Sequence, residues 1–288
     1  ILIVNDGSKD NTLNIAKQLK AESTISGKSP IKIIDKENGG HGSTINAGLL
    51  NATGKYIKVM DSDDYYDTLE LNRLVKILEN ENSDLVLTNY VEDWSNNPHF
   101  SIMKYYEFMC PGKQYQIEDL CYEGYGFNRY ANILHTSTFK TEMLKQGDFK
   151  ISEHCFYVDM ELNTYAFLLA NTVTYYPLNL YMYYLGRSGQ SVSPESFKKN
   201  YKQHEHVLLK IINEITDRNT SYEKKQCLYR TIVLPMVETQ YYIITEYLKS
   251  KEEFVKFDEE IKLNPDIYNA PYILKENVKK YREKYIRK

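Results

Sequence analysis

Asp61, Asp63 and Asp64 place three carboxylates within four positions, directly after the run Tyr56-Ile57-Lys58-Val59-Met60. Carboxylates this close repel one another, so the cluster needs a cation or hydrogen-bond donors to stay ionised. Hard oxygen ligands select magnesium, manganese or calcium over softer ions. The preceding run is apolar or aromatic except at Lys58, the composition of a buried strand. In an open α/β sheet, ligands bind at the carboxyl ends of such strands. The plainer alternative is a polar loop leading to a helix opened by Asp67 and Thr68.

Two more loops belong with this one. Ile1 to Val4 reads as a short buried strand that runs into Asn5-Asp6-Gly7-Ser8. Ile31 to Ile34 reads as the next strand, followed by the glycine-rich loop Asn38-Gly39-Gly40-His41-Gly42-Ser43. Between them, Asp10 or Asn11 caps a helix with Leu13, Ile15, Ala16 and Leu19 at helical spacing. A second helix carries Ile45, Leu49 and Leu50 and ends at Gly54. Leu69 to Leu78 is an amphipathic helix, and Asp84 to Val91 another strand. Alternating strands and helices, with near-continuous apolar strands, predict a mostly parallel sheet covered on both faces. Parallel strands bring their carboxyl ends to one side, so the three loops can share a crevice.

In this order, the stretches "ILIVNDGSKDNT" and "ENGGHGSTINAGLLNATGKYIKVMDSDD" resemble the family 2 glycosyltransferases of the GT-A nucleotide-binding fold, over residues 1 to about 90. The resemblance implies that Asp6 meets the pyrimidine base of a nucleotide-sugar, with Gly39 in the donor-binding loop. It implies that Asp61 holds the ribose and that Asp63 ligates Mn2+ or Mg2+, with Asp64 beside it as a second ligand. A divalent ion would offset the charge growing on the diphosphate leaving group. Inverting transfer also needs a base for the acceptor hydroxyl. The corresponding stretch runs from Ile151 to Glu161, and the usual Glu-Asp pair appears there as Val158-Asp159. This makes Asp159 the expected base, with Glu161 and Glu153 as alternatives. Read without the resemblance, Asp159 and Glu161 simply favour a helix start. Arg187-Ser188-Gly189-Gln190-Ser191 is similar to the family's flexible loop, so Arg187 and Ser191 are expected over the diphosphate, with Lys36 and His41 within reach. Two departures stand out: the family's first strand, its "P-x-Y-N"-like turn and the long helix after it are missing, and Ile45 precedes Asn46 where an Arg is common.

Further along, 93–127 is polar, aromatic and irregular, the composition of a substrate-facing excursion. Ala131 to Leu134 is expected as a strand, Thr141 to Lys145 as a short helix, Asp159 to Ala170 as a helix and Val173 to Leu185 as a Tyr-rich strand. Pro194 opens a helical remainder with helical spacing over His206 to Ile215, Lys224 to Leu248 and Glu252 to Ile261, and Pro271 starts a last charged helix. The expected division is a GT-A catalytic domain over 1–192 and a helical region over 193–288. The chain opens inside a strand, so it reads as amino-terminally truncated. The absent strand would leave an unpaired edge beside Ile1 to Val4, a place for self-association.

Hydrophobic residues at 42% suffice for a sizeable core, and no apolar run reaches transmembrane length. A net charge of -3 argues against a nucleic-acid partner. Lys275, Lys279, Lys280, Arg282, Lys284, Arg287 and Lys288 concentrate positive charge at the end, as a solvated helical face or a peripheral membrane contact. Cys110, Cys121, Cys155 and Cys227 form no CxxC pair, which fits a reducing compartment. The resemblance thus leads to a metal-dependent inverting glycosyltransferase, a hexosyl- or N-acetylhexosaminyl-transferase. It would move sugar from a UDP-sugar to a cell-surface, exopolysaccharide or lipid-linked glycan, in the cytoplasm at the inner membrane face. The alternatives are a truncated or inactive GT-A domain serving as an assembly or carbohydrate-binding partner, and a D-x-D magnesium phosphatase. The phosphatase motif wants Thr or Val where Tyr65 stands, and it leaves Asn5-Asp6-Gly7-Ser8 unexplained.

Overall fold

Leu2–Asp6 (β1) and Lys32–Lys36 (β2) pair in parallel, with Leu2 opposite Lys32 and Asp6 opposite Lys36. They belong to a computed structural model that describes residues 1–94, 100–122, 126–127, 130–186, 193–270 and 276–286. Thr12–Glu22 (α1) makes the crossover, its start tied down by Asp10, whose Oδ1 accepts from the Thr12 amide at 3.0 Å. His41–Asn51 (α2) follows the glycine-rich loop and stops short of Gly54. Among the described residues β1 pairs with β2 alone, so one edge of β1 has no strand beside it.

A second, seven-stranded sheet holds the rest. Its main path runs Tyr56–Ile57 (β3), Ser137–Lys140 (β8), Leu85–Trp94 (β5), Thr172–Leu185 (β9) and Tyr65–Tyr66 (β4). Phe100–Met103 (β6) adds to β5, and Gln114–Gln116 (β7) adds to β9. Among the described residues only β5 and β9 pair in parallel in this sheet; its other pairs are antiparallel, so the architecture is a mixed α/β sheet. The expected central strand is cut to two residues. Beyond Ile57 the chain leaves the ladder, and the Lys58 ammonium donates to the carbonyls of His135 and Ser137 at 3.1 and 3.0 Å. The strand expected over Ala131 to Leu134 is a turn, and the strand starts at Ser137 instead. The hydroxyls of Thr136 and Ser137 fold back onto the Ile133 carbonyl and close that turn.

Thr68–Asn80 (α3) is capped by Asp67, whose carboxylate accepts from the Glu70 amide at 2.9 Å. Thr141–Gln146 (α4) and Asp159–Leu169 (α5) flank the sheet, and α5 is buried continuously from Glu161 to Leu168. Pro194–Asp217 (α6) starts as expected, with Pro194 in its first turn and Ser193 as the cap. Tyr222–Leu228 (α7), Leu234–Tyr242 (α8), Lys251–Lys262 (α9), Pro265–Tyr268 (α10) and Glu276–Tyr285 (α11) complete the chain. The single periodic run expected over Lys224 to Leu248 is interrupted by π-helical turns at Tyr229–Val233 and Ile243–Leu248. Pro235 lacks an amide hydrogen, and a wider turn just ahead of it accommodates the lost bond. One apolar cluster joins the sheet (Leu85, Phe139), α5 (Phe167), α6 (Val207, Ile211) and the last helices (Val237, Phe254). No helix among the described residues is long and apolar enough to cross a membrane.

Burial also places a titratable group in this core. His204 of α6 is 4% exposed and shares a 2.9 Å hydrogen bond with Gln240 of α8. Burial drives its pKa from the usual 6.5 down to about 4, with the Gln240 bond a smaller opposing effect. The unfolded chain therefore binds a proton that the folded chain refuses, and stability falls as pH drops from 6.5 towards 4. This shift corresponds to roughly 3 kcal/mol. His204→Gln keeps a donor for Gln240 and does not titrate, so urea unfolding should show a smaller loss between pH 7 and 4 than in the parent. Equal acid losses in both proteins would refute the assignment.

Candidate active site

The parallel register brings Asp6 beside Lys36, with Nζ 2.7 Å from Oδ1. The Gly39 amide and the Ser43 hydroxyl donate to the same oxygen, at 2.9 and 3.1 Å, and the Gly40 amide donates to Oδ2 at 2.7 Å. Gly40 adopts φ 78°, a conformation open to glycine that lets both amides turn to one carboxylate. Partial burial pushes the Asp6 carboxyl up, but Lys36, the two amides and Ser43 together hold it below the usual value. Both oxygens of the residue expected at the base are thus engaged in shaping the glycine-rich loop that contains Gly39.

The acidic loop folds against β9. Asp64 is nearly buried, accepting from the Tyr181 hydroxyl at 2.6 Å and the Tyr184 amide at 2.9 Å. The Tyr181 oxygen also accepts from the Asp61 amide at 3.2 Å, so one phenol ties both ends of the turn. Asp61 turns the other way, its Oδ1 3.2 Å from His41 Nε2 at the start of α2. Burial pushes Asp61 up to about 6; His41 opposes the rise, while Asp64, Asp159 and Asp63 add to it.

Asp61 and Asp64 meet a residue that no motif announced. Among the described residues, Asp61, Asp64 and His135 form a group whose ligand atoms all lie within 4.8 Å of one another. The His135 ring stacks on Tyr183 at 4.4 Å and meets the edge of Tyr181 at 4.8 Å. Burial, with Lys58 adding to it, lowers the His135 pKa to about 4, so the ring is neutral at pH 7 and keeps a lone pair. Two carboxylates and a neutral imidazole suit a divalent ion that accepts both oxygen and nitrogen. Asp63, the ligand the resemblance implied, is exposed and lies outside this group. The only sequence signal for His135 is indirect: Lys58 interrupts an apolar strand, and its ammonium is the atom that fastens the His135 backbone.

Asp159 begins α5 and reaches the crevice from a different element. It is close enough to raise the pKa of Asp61 and to feel His41. Burial raises its own pKa, while His41 and the amides of Asp159 and Met160 partly offset the rise. The alternatives are placed differently. Glu161 is fully buried, its Oε2 held by Lys210 at 2.7 Å and by the Ser152 amide at 2.9 Å. Glu153 is exposed and bound by Lys150 at 3.1 Å and Asn46 at 3.2 Å. The loop before Asp159 packs on the donor-side elements: Asn46 exchanges two hydrogen bonds with the Ile151 backbone, and the His154 amide donates to the Gly39 carbonyl. A Cβ on Gly42 would strike the Ser152 carbonyl, so only glycine allows this approach. Arg187 and Ser191 lie outside the described residues.

The fold recurs in known proteins. Over 99% of its length the chain is similar to Staphylococcus aureus TarS solved with UDP, covering 81% of that chain at TM-score 0.63 and 19% identity. The TarS complex with UDP-GlcNAc gives TM-score 0.59 at 16% identity, covering 99% of this chain and 82% of that one. Among curated proteins, 236 residues are 25% identical to the Escherichia coli glycosyltransferase YibD, covering 80% of this chain and 65% of the relative. Streptococcus pneumoniae GlyG is 27% identical over 206 residues, 68% of this chain and 64% of the relative. A Mycoplasma pneumoniae glycosyltransferase is 38% identical over 96 residues, 33% of this chain and 31% of its own length. The chain therefore spans under two thirds of the length of these curated relatives. Residues 1–146 match the Glycosyl transferase family 2 profile. With that match covering just over half of its residues, the chain belongs to glycosyltransferase family 2.

Proposed function

We propose that this chain carries out metal-dependent, inverting transfer of a sugar from a UDP-sugar to a hydroxyl of a glycan or lipid-linked glycan. The observation that carries the reading is the convergence of Asp61, Asp64 and His135 with Asp159, which comes from a separate element. UDP as the nucleotide draws support from TarS, which was solved with UDP and with UDP-GlcNAc. A divalent ion bound by Asp61, Asp64 and His135 would supply charge compensation for the departing diphosphate. The Asp6-anchored loop, with Gly39 and Lys36, shapes the donor side. Asp159 takes the acceptor proton as the acceptor oxygen bonds to the anomeric carbon, the bond to the diphosphate breaks, and UDP leaves with the electron pair. Attack from the face opposite the leaving group inverts the anomeric centre. We place the reaction in the cytoplasm, with the exposed Lys279, Lys280 and Lys284 of α11 towards an anionic membrane surface and, as a contact for a second copy, the edge of β1 that no strand covers among the described residues.

Manganese suits this ligand set better than magnesium, because Mg2+ prefers oxygen throughout. Calorimetry should show UDP binding more tightly with Mn2+ than with Mg2+. His135→Phe keeps a ring to stack on Tyr183 and removes the nitrogen. It should weaken the Mn2+-dependent affinity by about 10–100-fold, the scale on which metal-site partners act. UDP binding indifferent to both metal and mutation would overturn the metal reading, and absence of UDP release from every UDP-sugar tried would overturn the transferase reading.

A further inference from the structure

The helix that begins with Asp159 is fastened at both ends by lysines from the helical remainder. At its start, Lys210 of α6 donates to Glu161 Oε2 at 2.7 Å, to the Ser152 hydroxyl at 3.0 Å and to the Lys150 carbonyl at 2.9 Å. At its end, Lys224 of α7 donates to the carbonyls of Leu168 and Ala170 at 3.1 and 2.6 Å, satisfying groups that a helix terminus leaves open. Glu161 is 0% exposed and Lys224 3% exposed. A third tie, the Phe156 amide donating to Gln203 Oε1 of α6 at 2.9 Å, holds the loop just ahead of Asp159.

These contacts are poorly explained as stabilisers. Glu161 is fully buried while Lys210 stays partly exposed, and a charge that loses its water in this way often stabilises no more than an apolar side chain of the same volume. Glu161 Oε1 is, in addition, buried with no hydrogen-bond partner among the described residues, so the site is not optimised for stability. What the pair does supply is geometry. His154 and Tyr157 hold φ values of 52° and 66°, a region that non-glycine residues adopt only when their surroundings fix them. Their loop is gripped on the donor side by Asn46 and Gly39 and on the opposite side by Lys210 and Gln203. α5 begins at Asp159, directly after this loop.

We propose that Lys210 is a positioning residue for sugar transfer: by holding Glu161 and the 150–152 backbone, α6 sets where α5 begins and so where the Asp159 carboxylate points. Lys224 fixes the other end of the same helix. The inference rests on the reading of Asp159 as base.

The test uses the full chain with Mn2+, supplying UDP-GlcNAc and UDP-glucose and reading UDP release with water as acceptor. Lys210→Met should lower kcat by about 100-fold, the cost of a misplacement near 1 Å. KM for the donor and the affinity for UDP should stay at parent values. Lys210→Arg should recover much of the loss. The double variant Lys210→Met, Glu161→Met removes both charges, so its melting temperature should return towards the parent while kcat stays low. Recovery of kcat together with the melting temperature, or loss of UDP affinity in step with kcat, would overturn the proposal. Hydrogen exchange needs no turnover and separates the two readings. Faster exchange over 150–158 in Lys210→Met supports the clamp even if the parent releases no UDP, and unchanged exchange overturns it.

Discussion

Asp159→Asn should lower transfer by about 10²–10⁴-fold, the range for losing a general base, while UDP and metal affinity stay unchanged. The substitution keeps size and helix position but cannot accept a proton. Stopped or steady-state assays of UDP release would show the loss in kcat rather than in donor KM. The pH profile gives a second reading. Burial raises the Asp159 pKa above the ordinary carboxylate value, so its basic form is lost at a higher pH than for an exposed aspartate. Parent kcat should therefore fall on the acid side above the usual carboxylate range, and the residual activity of Asp159→Asn should lack that limb. Near-parent turnover by the variant would rule out the role. Glu161 could not replace it without movement, since its side chain is buried under Lys210.

The parts of this site that follow from local sequence were legible, and the parts made by tertiary approach were not. Asp6, the glycine-rich loop and the acidic loop each belong to a local strand-to-loop unit, so their spacing showed the units and the resemblance supplied their expected roles. Asp67 caps α3 through its own side chain, and Ser193-Pro194 opens α6, both decided within one turn of chain. Asp159 was reached only through the resemblance, since an acid at a helix start already has a local reason to be there. His135 had no such handle: 71 positions separate it from Asp64, and its segment comes to the acidic loop through the pairing of β3 with β8 and the Lys58 bond to its carbonyl. Tyr181 was hidden for the opposite reason, as one of 27 tyrosines, distinguished only by the two aspartates its oxygen joins. Strand order in the larger sheet was equally non-local, since a buried strand reads the same whether its neighbour is parallel or antiparallel.

Asp64→Asn is the sharper test of how the proposed metal group is composed. The amide keeps the carboxylate's shape but offers one acceptor oxygen where Asp64 offers two. It cannot accept from both the Tyr181 hydroxyl and the Tyr184 amide as Asp64 does. One buried donor is left facing an N–H, at a cost of about 1–3 kcal/mol, so the melting temperature should fall. The same change removes a charge from the three-ligand group, and UDP affinity in Mn2+ should drop to the level seen with EDTA. Turnover should fall by roughly 10²–10³-fold, on the scale of several kcal/mol for a metal's charge stabilisation. Asp63→Ala separates the two possible ligand sets. Its side chain is exposed and outside the group, so fold stability should hold and metal-dependent UDP affinity should fall less than in Asp64→Asn. The reverse ranking, with Asp63→Ala abolishing the Mn2+ effect and Asp64→Asn preserving it, would return the ion to Asp63 and leave Asp64 as the residue that fastens the loop to β9.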